Sequence, residues 1–545
     1  MLKQRTKMPS PAPQARQEVQ EIPLKMVGGN HFGRYPKTSQ EQTWNMIISD
    51  GCLVPYAGYK NVLTQSPNQK GRGIYASSRG NVMIAIWGSQ CFLIKPGIAP
   101  NNIFVASFKG NLLTAVGDIF LAENNNGDIA FTDNIAIYVY NYLNDTYKTS
   151  AADFSLPPSL TNPGYIAFQN GRLLVANTTS TNWYLSASND ATTWPNDSAH
   201  IGALQSKPDK VQAAVPTPGG GNNLYLFGHN VVEQWQDVGN AIFPYQRSST
   251  FNVDYGTINP SSIAALDDYV VWLSVNEQSG VSLMVIEGNR ATAISTDGID
   301  FKLANLSNPS NCTGFIYRQD GHVLYQFTFP DDNLSYIYDF TNKEFFTVSD
   351  ENLNYHIARN VVFFNNQNYF VSLNGGNLYA FDSIYTNFDY GADNIQQIPR
   401  IRVTPPIRLP SQRMFIVKSL GFTIENGQPN SFTNLNTYAN NGAEIATEGL
   451  ISITTEGATI LVVEDASVLM NDYVLASEAV DLSTSRDGGE SFGNSWRLNM
   501  NAIGRRKSRF IWQRCGQAND LTCQFRFSGF GRFVVADDGL AELYL

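Results

Sequence analysis

Short apolar runs separated by polar turn residues dominate the middle of the chain. From Gly73 to Phe381 they recur roughly every 8–15 residues, with Asn, Gly, Asp and Pro between them. Typical runs are NVMIAIWG, CFLIKPG, NNLYLFG, DYVVWLSVN and HVLYQFTF. The 3.6-residue period of amphipathic helices is nearly missing from this region. The pattern therefore predicts an all-β protein.

The length of this region favours a β-propeller. At roughly 40–50 residues per four-stranded blade, about 310 residues make roughly six blades. An array of β-sandwiches is the alternative fold, but no strong linker interrupts the series of strands.

The flanking segments differ in composition. Residues 1–21 are polar and rich in Pro and Gln, which predicts a flexible N-terminal arm able to order on a partner. Residues 22–72 are interpreted as the N-terminal part of a platform, and residues 73–390 as the propeller. Residues 391–428 and 478–545 again show strand patterns and complete the predicted platform β-domain. The polar, low-charge insert at 429–477 is interpreted as a protruding hairpin.

The charge balance restricts the kinds of partner. The formal net charge is −10 and charged residues make up 15% of the chain, below the roughly 25% of typical soluble proteins. This balance argues against a general nucleic-acid-binding surface, because phosphate neutralisation needs clustered Lys and Arg. A channel through which DNA slides should avoid tight phosphate contacts, so an acidic balance is compatible with a DNA conduit.

Residues that hold metals or form disulfides show no pattern. The five cysteines include no CxxC pair and are interpreted as buried, reduced thiols of a protein assembled in a reducing cytoplasm. The histidines are scattered, without an HxH or HExxH spacing, at His31, His200, His229, His322 and His356. No G-x-S-x-G context signals a catalytic serine. No apolar run approaches the eighteen or so residues of a membrane span. We predict no cofactor, no metal and no membrane span.

One motif in the C-terminal part matches the Asp-box pattern S-x-D-x-G-x-[ST]-[WF]. It consists of Ser485, Asp487, Gly488, Gly489 and Phe492 in SRDGGESF. The Ser and Asp side chains of such a motif hydrogen-bond a hairpin turn, so the motif predicts a structural turn rather than a catalyst. A degenerate echo, SASNDATTW, occurs some 300 residues earlier, and the blade-by-blade repetition of sialidase propellers is missing. The prediction is a non-enzymatic protein, with a carbohydrate-active or glycan-binding Asp-box propeller as one alternative and a host-surface adhesin as another.

The strongest run of positive charge is GRRKSRF, with Arg505, Arg506, Lys507 and Arg509. Alternation along a strand would place Arg505, Lys507 and Arg509 on one face and Arg506 on the other. This face is a candidate contact with DNA or with an acidic neighbouring subunit. A solvated strand face explains the same pattern equally well.

Several separated segments resemble the packaged-DNA stabilisation proteins, also called tail hub or nozzle proteins, of short-tailed bacteriophages. The first is LYLFGHNVVEQWQDVGNAIFPYQR, at 224–247, with its Glu-x-Trp and Phe-Pro series. ATAISTDGID, at 291–300, and the strand pair at 320–340 with Gly-His-x-x-Tyr follow in order. The C-terminal segments LSTSRDGGESFGNSW, AIGRRKSRFIWQRCGQA and FRFSGFGRF are similar to the family's last signature.

The resemblance implies a six-bladed propeller beside a platform, assembled as a hexameric ring beneath the portal-adaptor (head-to-tail connector) proteins. Such a ring closes the channel over packaged DNA, contacts tail fibres or spikes, and conducts double-stranded DNA without sequence specificity on ejection. The implied localisation is the short tail of the virion, assembled in the bacterial host cytoplasm. Cys515 departs from the family pattern, which more often has an apolar residue there.

Overall fold

The computed structural model describes the residues 19–33, 40–65, 68–97, 104–217, 221–240, 242–278, 280–392, 394–428, 479–500, 507–529 and 531–544. Regular structure in these residues is almost entirely β, and the one α-helix among them, α1, spans Asp297–Ala304. The predicted all-β class is confirmed, and so is the propeller. The hairpin insert predicted at 429–477 lies outside the described residues.

Six strands precede the main series. They are β1 (Val19–Leu24), β2 (His31–Phe32), β3 (Gln40–Trp44), β4 (Met46–Ser49), β5 (Cys52–Pro55) and β6 (Gly58–Thr64). β1 pairs antiparallel with the last strand of the chain, at 539–544. The prediction of an arm over 1–21 is therefore wrong for residues 19–21, because the C-terminal strand offers them backbone hydrogen-bond partners. Residues 1–18 lie outside the described residues.

The next 28 strands form the propeller blades. Blade 1 contains β7 (Gly71–Ser77), β8 (Val82–Trp87), β9 (Gln90–Lys95) and β10 (Val105–Asn111). Blade 2 contains β11 (Phe120–Glu123), β12 (Asp128–Thr132), β13 (Ile137–Asn141) and β14 (Thr146–Thr149). Blade 3 contains β15 (Pro163–Gln169), β16 (Arg172–Asn177), β17 (Asn182–Leu185) and β18 (Ile201–Ala203). Blade 4 contains β19 (Val211–Pro216), β20 (Asn223–Gly228), β21 (Val232–Asp237) and β22 (Tyr245–Val253). Blade 5 contains β23 (Gly256–Thr257), β24 (Ala264–Leu266), β25 (Tyr269–Val275), β26 (Ser282–Glu287) and β27 (Arg290–Ala293). Blade 6 contains β28 (Thr313–Gln319), β29 (His322–Phe329), β30 (Leu334–Asp339) and β31 (Glu344–Thr347). Blade 7 contains β32 (Ala358–Phe364), β33 (Gln367–Ser372) and β34 (Asn377–Asp382).

The propeller has seven blades rather than the six predicted. Blade 7 shows only three consecutive strands in the sequence, and its fourth strand is β6, which pairs antiparallel with β34. The sequence pattern grouped β6 with the platform segment 22–72, so this blade was not counted. β6 joins the two ends of the blade series and closes the ring.

Neighbouring blades pack face to face around a common axis. The innermost strands contact one another from β7 through β11 and β15 to β19, and from β24 through β28 and β32 back to β7. Seven separate hydrophobic cores fill the spaces between successive blades. Three of them enclose a fully buried tryptophan, at Trp87, Trp183 and Trp272. Burial between two neighbours explains the continuously apolar runs such as β8, whose six side chains are all buried.

Tight hairpin turns connect many of the strands. Residues with positive φ occupy the turns at Asn170–Gly171, Asp320–Gly321 and Asn365–Asn366. Two-residue hairpins of type I′ require positive φ at both positions, which Asn, Asp and Gly adopt at least cost. These turns are formed by the Asn, Asp and Gly residues that separate the apolar runs in the sequence.

The remaining strands belong mainly to a platform. They are β35 (Asn387–Asp389), β36 (Ile395–Gln397), β37 (Arg400–Val403), β38 (Ile407–Arg408), β39 (Phe415–Gln428), β40 (Ala479–Ser485), β41 (Trp496–Asn499), β42 (Lys507–Ala518), β43 (Asp520–Ser528), β44 (Arg532–Val535) and β45 (Gly539–Tyr544). One platform sheet has the order β1-β45-β39-β44-β5-β4, with β42 on the other edge of β39. The second sheet, β3-β37-β43-β40-β41, continues blade 6 through a parallel pairing of β3 with β31. A single core of apolar side chains lies between the two sheets.

A buried ion pair joins the two ends of the chain within this platform. The Arg402 guanidinium donates to the Glu41 carboxylate, to the Thr43 hydroxyl (3.0 Å) and to the Gly29 carbonyl (3.3 Å). Both charged side chains are almost completely buried. Burial lowers the pKa of Arg402, and the Glu41 carboxylate opposes that effect. Removal of one partner would leave a buried, unpaired charge, so the pair fixes how the N-terminal and C-terminal segments meet.

Candidate functional site

The basic run lies at the start of β42. Lys507 and Arg509 are exposed, whereas Ser508 and Phe510, which alternate with them, are buried. Arg505 and Arg506 lie outside the described residues. β42 pairs with β39 on one side, and among the described residues no strand pairs with its other edge. The cations therefore stand at the edge of the first platform sheet, on its outer face.

The charges on this outer face are mixed rather than uniformly positive. Lys507 Nζ lies 3.6 Å from Glu425 Oε1 on β39. Lys418 Nζ lies 2.8 Å from Glu542 Oε2, and Ser419 Oγ donates to the same oxygen at 2.9 Å. These two hydrogen bonds lower the pKa of Glu542 below its ordinary value.

Apolar side chains lie between the charged pairs. Ile511 on β42 and Leu540 on β45 are both in register with Gly421 on β39, one on each side of it. The exposed fractions of Ile511 and Leu540 are 39% and 37%. Ile416 and Met414 are also exposed near the same end of β39. Protein interfaces combine an apolar centre with a charged rim, and this face has both. We name it the platform face, consisting of the outward residues of β42, β39 and β45.

The Asp-box motif forms a hydrogen-bonded turn between β40 and β41. The Gly489 amide donates to Ser485 Oγ at 2.9 Å, and the Ser491 amide donates to Asp487 Oδ1 at 3.0 Å. Gly488 and Gly489 have positive φ, and Phe492 is half-buried beneath the turn. Hydrogen bonds from Ser485 and Ser491 hold the pKa of Asp487 far below its ordinary value. Every hydrogen bond that the structure shows for the Ser485 and Asp487 side chains lies within the turn. The turn belongs to the platform rather than to a blade.

The motif Glu-x-Trp at 233–235 acts within the propeller scaffold. The fully buried Glu233 carboxylate accepts from Trp235 Nε1 at 2.9 Å and from the Gln205 and Ser206 amides. These bonds attach the loop after blade 3 to blade 4. A residue pattern that carries the family resemblance is thus explained by folding.

The structure brings together one Ser-His-Asp arrangement that no local sequence context signals. His322 Nδ1 lies 2.9 Å from Asp339 Oδ2, and His322 Nε2 lies 3.2 Å from Ser49 Oγ. Asn342 Nδ2 donates both to Asp339 Oδ2 and to the Ile48 carbonyl, each at 2.7 Å. His322 and Asp339 are buried in blade 6, and Ser49 comes from the β4–β5 hairpin of the platform. Every one of these bonds crosses or supports the junction between platform and propeller, so we interpret the group as a structural tie.

A cavity of about 160 Å³ lies on the propeller axis among the innermost strands. Arg72, Tyr75, Phe120, Tyr165 and Arg359 are among the residues that line it. Arg72 also donates to the carbonyls of Gly88, Thr114, Val116 and Gly117, with distances of 2.7–2.9 Å. Arg359 Nη2 lies 2.5 Å from Asp118 Oδ1. The bonds to Thr114, Val116, Gly117 and Asp118 tie the loop at 112–118 to blades 1 and 7.

The thiols and other possible metal ligands are dispersed. None of the five cysteines forms a disulfide, and all except Cys52 are buried. Burial raises the pKa of Cys515 to about 11 and that of Cys91 to about 12. In the part of the chain that the structure describes, no three His, Cys, Asp or Glu side chains are grouped to hold a metal ion. No helix within the described ranges is both long enough and apolar enough to span a membrane.

The fold defines a seven-bladed β-propeller protein with an attached β-sandwich platform. The family model described as "Bacteriophage P22 Gp10, beta-propeller" matches residues 37–385, which is more than half of the chain. The chain belongs to this family, and the resemblance to phage packaged-DNA stabilisation proteins is confirmed. It is a bacteriophage structural protein of the virion, and membership of such a family favours a non-enzymatic role.

The other comparisons carry no argument about this chain. No curated protein matches the sequence. Virginiamycin B lyase from Staphylococcus aureus is similar at 12% identity and a TM-score of 0.41, over 60% of this chain and 98% of that chain. The computationally designed Ika8 protein is similar at 10% identity and a TM-score of 0.35, over 65% of this chain and 99% of that chain. At these identities and TM-scores the likeness says nothing about activity.

Proposed function

We propose that the protein is a tail nozzle, or hub, subunit that forms a ring beneath the portal-adaptor, retains packaged DNA and conducts it on ejection. Family membership over residues 37–385 is the observation that carries this proposal. The ring is hexameric, and tail fibres or spikes are its further partners. The free energy that stabilises the closed ring comes from burial of the interfaces between subunits and not from covalent chemistry.

The small size of the cavity on the propeller axis supports a channel between subunits. The major groove of duplex DNA alone is about 12 Å wide. A cavity of about 160 Å³ among the innermost strands cannot admit a duplex. DNA therefore passes through a pore that several copies enclose, and not through the propeller of one copy.

The platform face is better suited to a protein partner than to DNA. DNA-binding surfaces are strongly positive, because each neutralised phosphate releases counterions. Here Glu425 and Glu542 lie beside Lys507 and Lys418, and Ile511 and Leu540 are exposed between them. Within the described ranges no strand pairs with the outer edge of β42, and such an edge can associate with another chain. We therefore assign the platform face, with Lys507 and Arg509, to contact with a neighbouring subunit.

Native mass spectrometry and negative-stain microscopy of the purified chain, alone and with portal-adaptor proteins, test the ring. Six copies around a central pore are expected. A protein that stays monomeric and ignores the adaptor at every concentration would contradict the proposal. A glycan array and a glycosidase panel test the carbohydrate alternative, for which saturable binding or turnover is required.

A further inference from the structure

Two strands of the first platform sheet have an outer edge with which no described strand pairs. Among the described strands β42 pairs only with β39, and β1 pairs only with β45. Because β39 and β45 lie between them, the two edges are on opposite sides of the same sheet. Each strand in this set runs antiparallel to the next, so β1 and β42 have opposite directions. The β42 edge of one copy can therefore accept β1 of another copy as an antiparallel neighbour and continue the sheet.

The two edge strands present matching side chains on the outer face of the sheet. Arg509 and Ile511 on β42 are exposed and alternate with buried residues. On β1, Glu21 stands opposite Glu542 of β45, and residues that face each other across an antiparallel pair lie on one side of the sheet. Val19, two residues earlier, shares that side. Each edge thus offers one charged and one apolar side chain on the same face.

The charges at the two edges are complementary. Glu21 lies directly opposite Glu542, and like charges in this position repel each other. Lys418 is bonded to Glu542, with Nζ 2.8 Å from Oε2, whereas Glu21 has no ion pair with a described residue. Arg509 forms neither a hydrogen bond nor an ion pair with a described residue. An arginine brought to β1 by a second copy would place a cation beside two carboxylates.

One register satisfies the charges and the apolar side chains together. When Arg509 of one copy stands opposite Glu21 of another, the antiparallel direction places Ile511 opposite Val19. Ile511 is 39% exposed and Val19 is 44% exposed, so this contact removes apolar surface of both from water. Pro23, which has no amide hydrogen to donate, comes at the end of the overlap, where the ladder stops.

Other pairings of the β42 edge fit less well. β41, at the edge of the second platform sheet, carries Arg497, whose Nε already lies 2.8 Å from Asp481 Oδ1. Two copies of β42 would bring basic strands side by side, and such a two-fold contact closes at two copies. Contact between two different edges is heterologous and continues from copy to copy, as a ring requires.

We infer that β1 of each copy adds to the β42 edge of a neighbouring copy, with Glu21 opposite Arg509 and Val19 opposite Ile511. β1 then becomes an inner strand of a sheet that spans two copies. This inference rests on the proposed ring and names the two surfaces that meet in it.

Disulfide formation between introduced cysteines tests the register. Full chains carrying Val19→Cys or Ile511→Cys are mixed and oxidised, each with Cys52→Ser because the other native cysteines are buried. Within one copy the two positions are three strand spacings apart, about 14 Å, which is too far for a disulfide, so any bond joins two copies. We expect a linked dimer from the mixture and from neither variant alone. A chain with both changes should give a ladder of products up to six copies.

A cysteine at another exposed edge position is the control for the cross-link. Trp496→Cys places it on β41, where the side chain is 44% exposed. Oxidation of this variant together with Val19→Cys should leave the chains unlinked. Equal linking of Val19→Cys to both positions, or dimers of Ile511→Cys alone, would overturn the inference.

Exchange of the charged pair tests the contact without cysteines. Arg509→Glu and Glu21→Arg should each raise the concentration at which rings dissociate about tenfold or more, and the chain with both changes should recover most of the loss. Arg290→Glu reverses an exposed arginine on β27, an edge strand of blade 5, and should change assembly little. Circular dichroism and thermal unfolding establish that each variant is folded. Failure of the double exchange to restore assembly would contradict the pairing.

Native mass spectrometry of the unmodified chain separates this inference from the proposed function. Rings of six without the disulfide between positions 19 and 511 reject the pairing alone. Linked open chains of varied length, without rings, support the pairing and reject the hexameric ring. The lack of both rings and disulfide rejects both.

Discussion

His356 is a fully buried imidazole where blade 6, blade 7 and the N-terminal segment meet. The Gln326 amide donates to His356 Nδ1 at 3.2 Å, and the Tyr59 and Phe381 rings lie 5.7 Å from the imidazole. Burial lowers the pKa of His356 to about 3. The imidazole of the folded protein therefore stays neutral at any pH well above 3.

This burial makes stability depend on pH. Below the ordinary histidine pKa of about 6.5 the unfolded chain takes up a proton that the folded chain refuses, so the free energy of unfolding falls as pH falls toward 3. At pH 5 the loss due to His356 should be about 2 kcal/mol. His356→Phe should remove this component, and unfolding of both proteins at pH 7 and pH 5 measures it. An identical pH dependence of the two proteins would show that another group is responsible.

The Ser49–His322–Asp339 group tests whether geometry alone makes a catalyst. We interpret the group as a tie between platform and propeller, so a fluorophosphonate that labels activated serines should leave Ser49 unmodified. His322→Ala leaves the fully buried Asp339 carboxylate without this partner and should destabilise the protein by about 1–3 kcal/mol. Labelling of Ser49 that is lost in the His322→Ala variant would contradict the structural interpretation.

Among the elements, β6 has a special position because it alone closes the ring of blades. Its Tyr59 is fully buried and stacks on Phe388 with ring centroids 4.5 Å apart. Tyr59→Ala should destabilise the propeller by about 3–5 kcal/mol through loss of packing between blades. Thermal and denaturant unfolding measure this change.

Phe363→Ala is the matched control for Tyr59→Ala. It removes an aromatic ring from blade 7 itself, but Phe363 is 65% exposed, so the expected change is within about 0.5 kcal/mol. Similar losses for Tyr59→Ala and Phe363→Ala would mean that closure by β6 does not limit stability.

At the scale of the whole molecule, the platform face separates two kinds of partner. If it contacts a subunit, Lys507→Glu with Arg509→Glu should abolish or weaken rings, because charge reversal beside Glu425 and Glu542 creates repulsion. If it contacts DNA, rings should persist while the slope of log affinity against log salt concentration becomes shallower by about 0.9 for each phosphate that is no longer neutralised. We expect the first outcome, measured by native mass spectrometry and by DNA binding across a salt series.

The sequence by itself determined the class of fold and the character of its parts. Two-residue periodicity, continuously apolar strands and Asn-Gly or Asp-Gly turns depend on local geometry, so they predicted an all-β propeller and the Asp-box turn at 485–492. Local patterns also indicated the change of composition near residue 390 and the alternating faces of the strand that contains Lys507 and Arg509. These features need no knowledge of distant parts of the chain.

Only the tertiary structure decided which distant residues meet. The seventh blade depends on pairing of β6 with β34, more than 300 residues away, and no local pattern specifies that partner. The tie among Ser49, His322 and Asp339 and the cavity among the innermost strands arise in the same way. Local periodicity sets how each segment folds, whereas long-range pairing and packing set where it lies, and the candidate sites of this protein are made by the second.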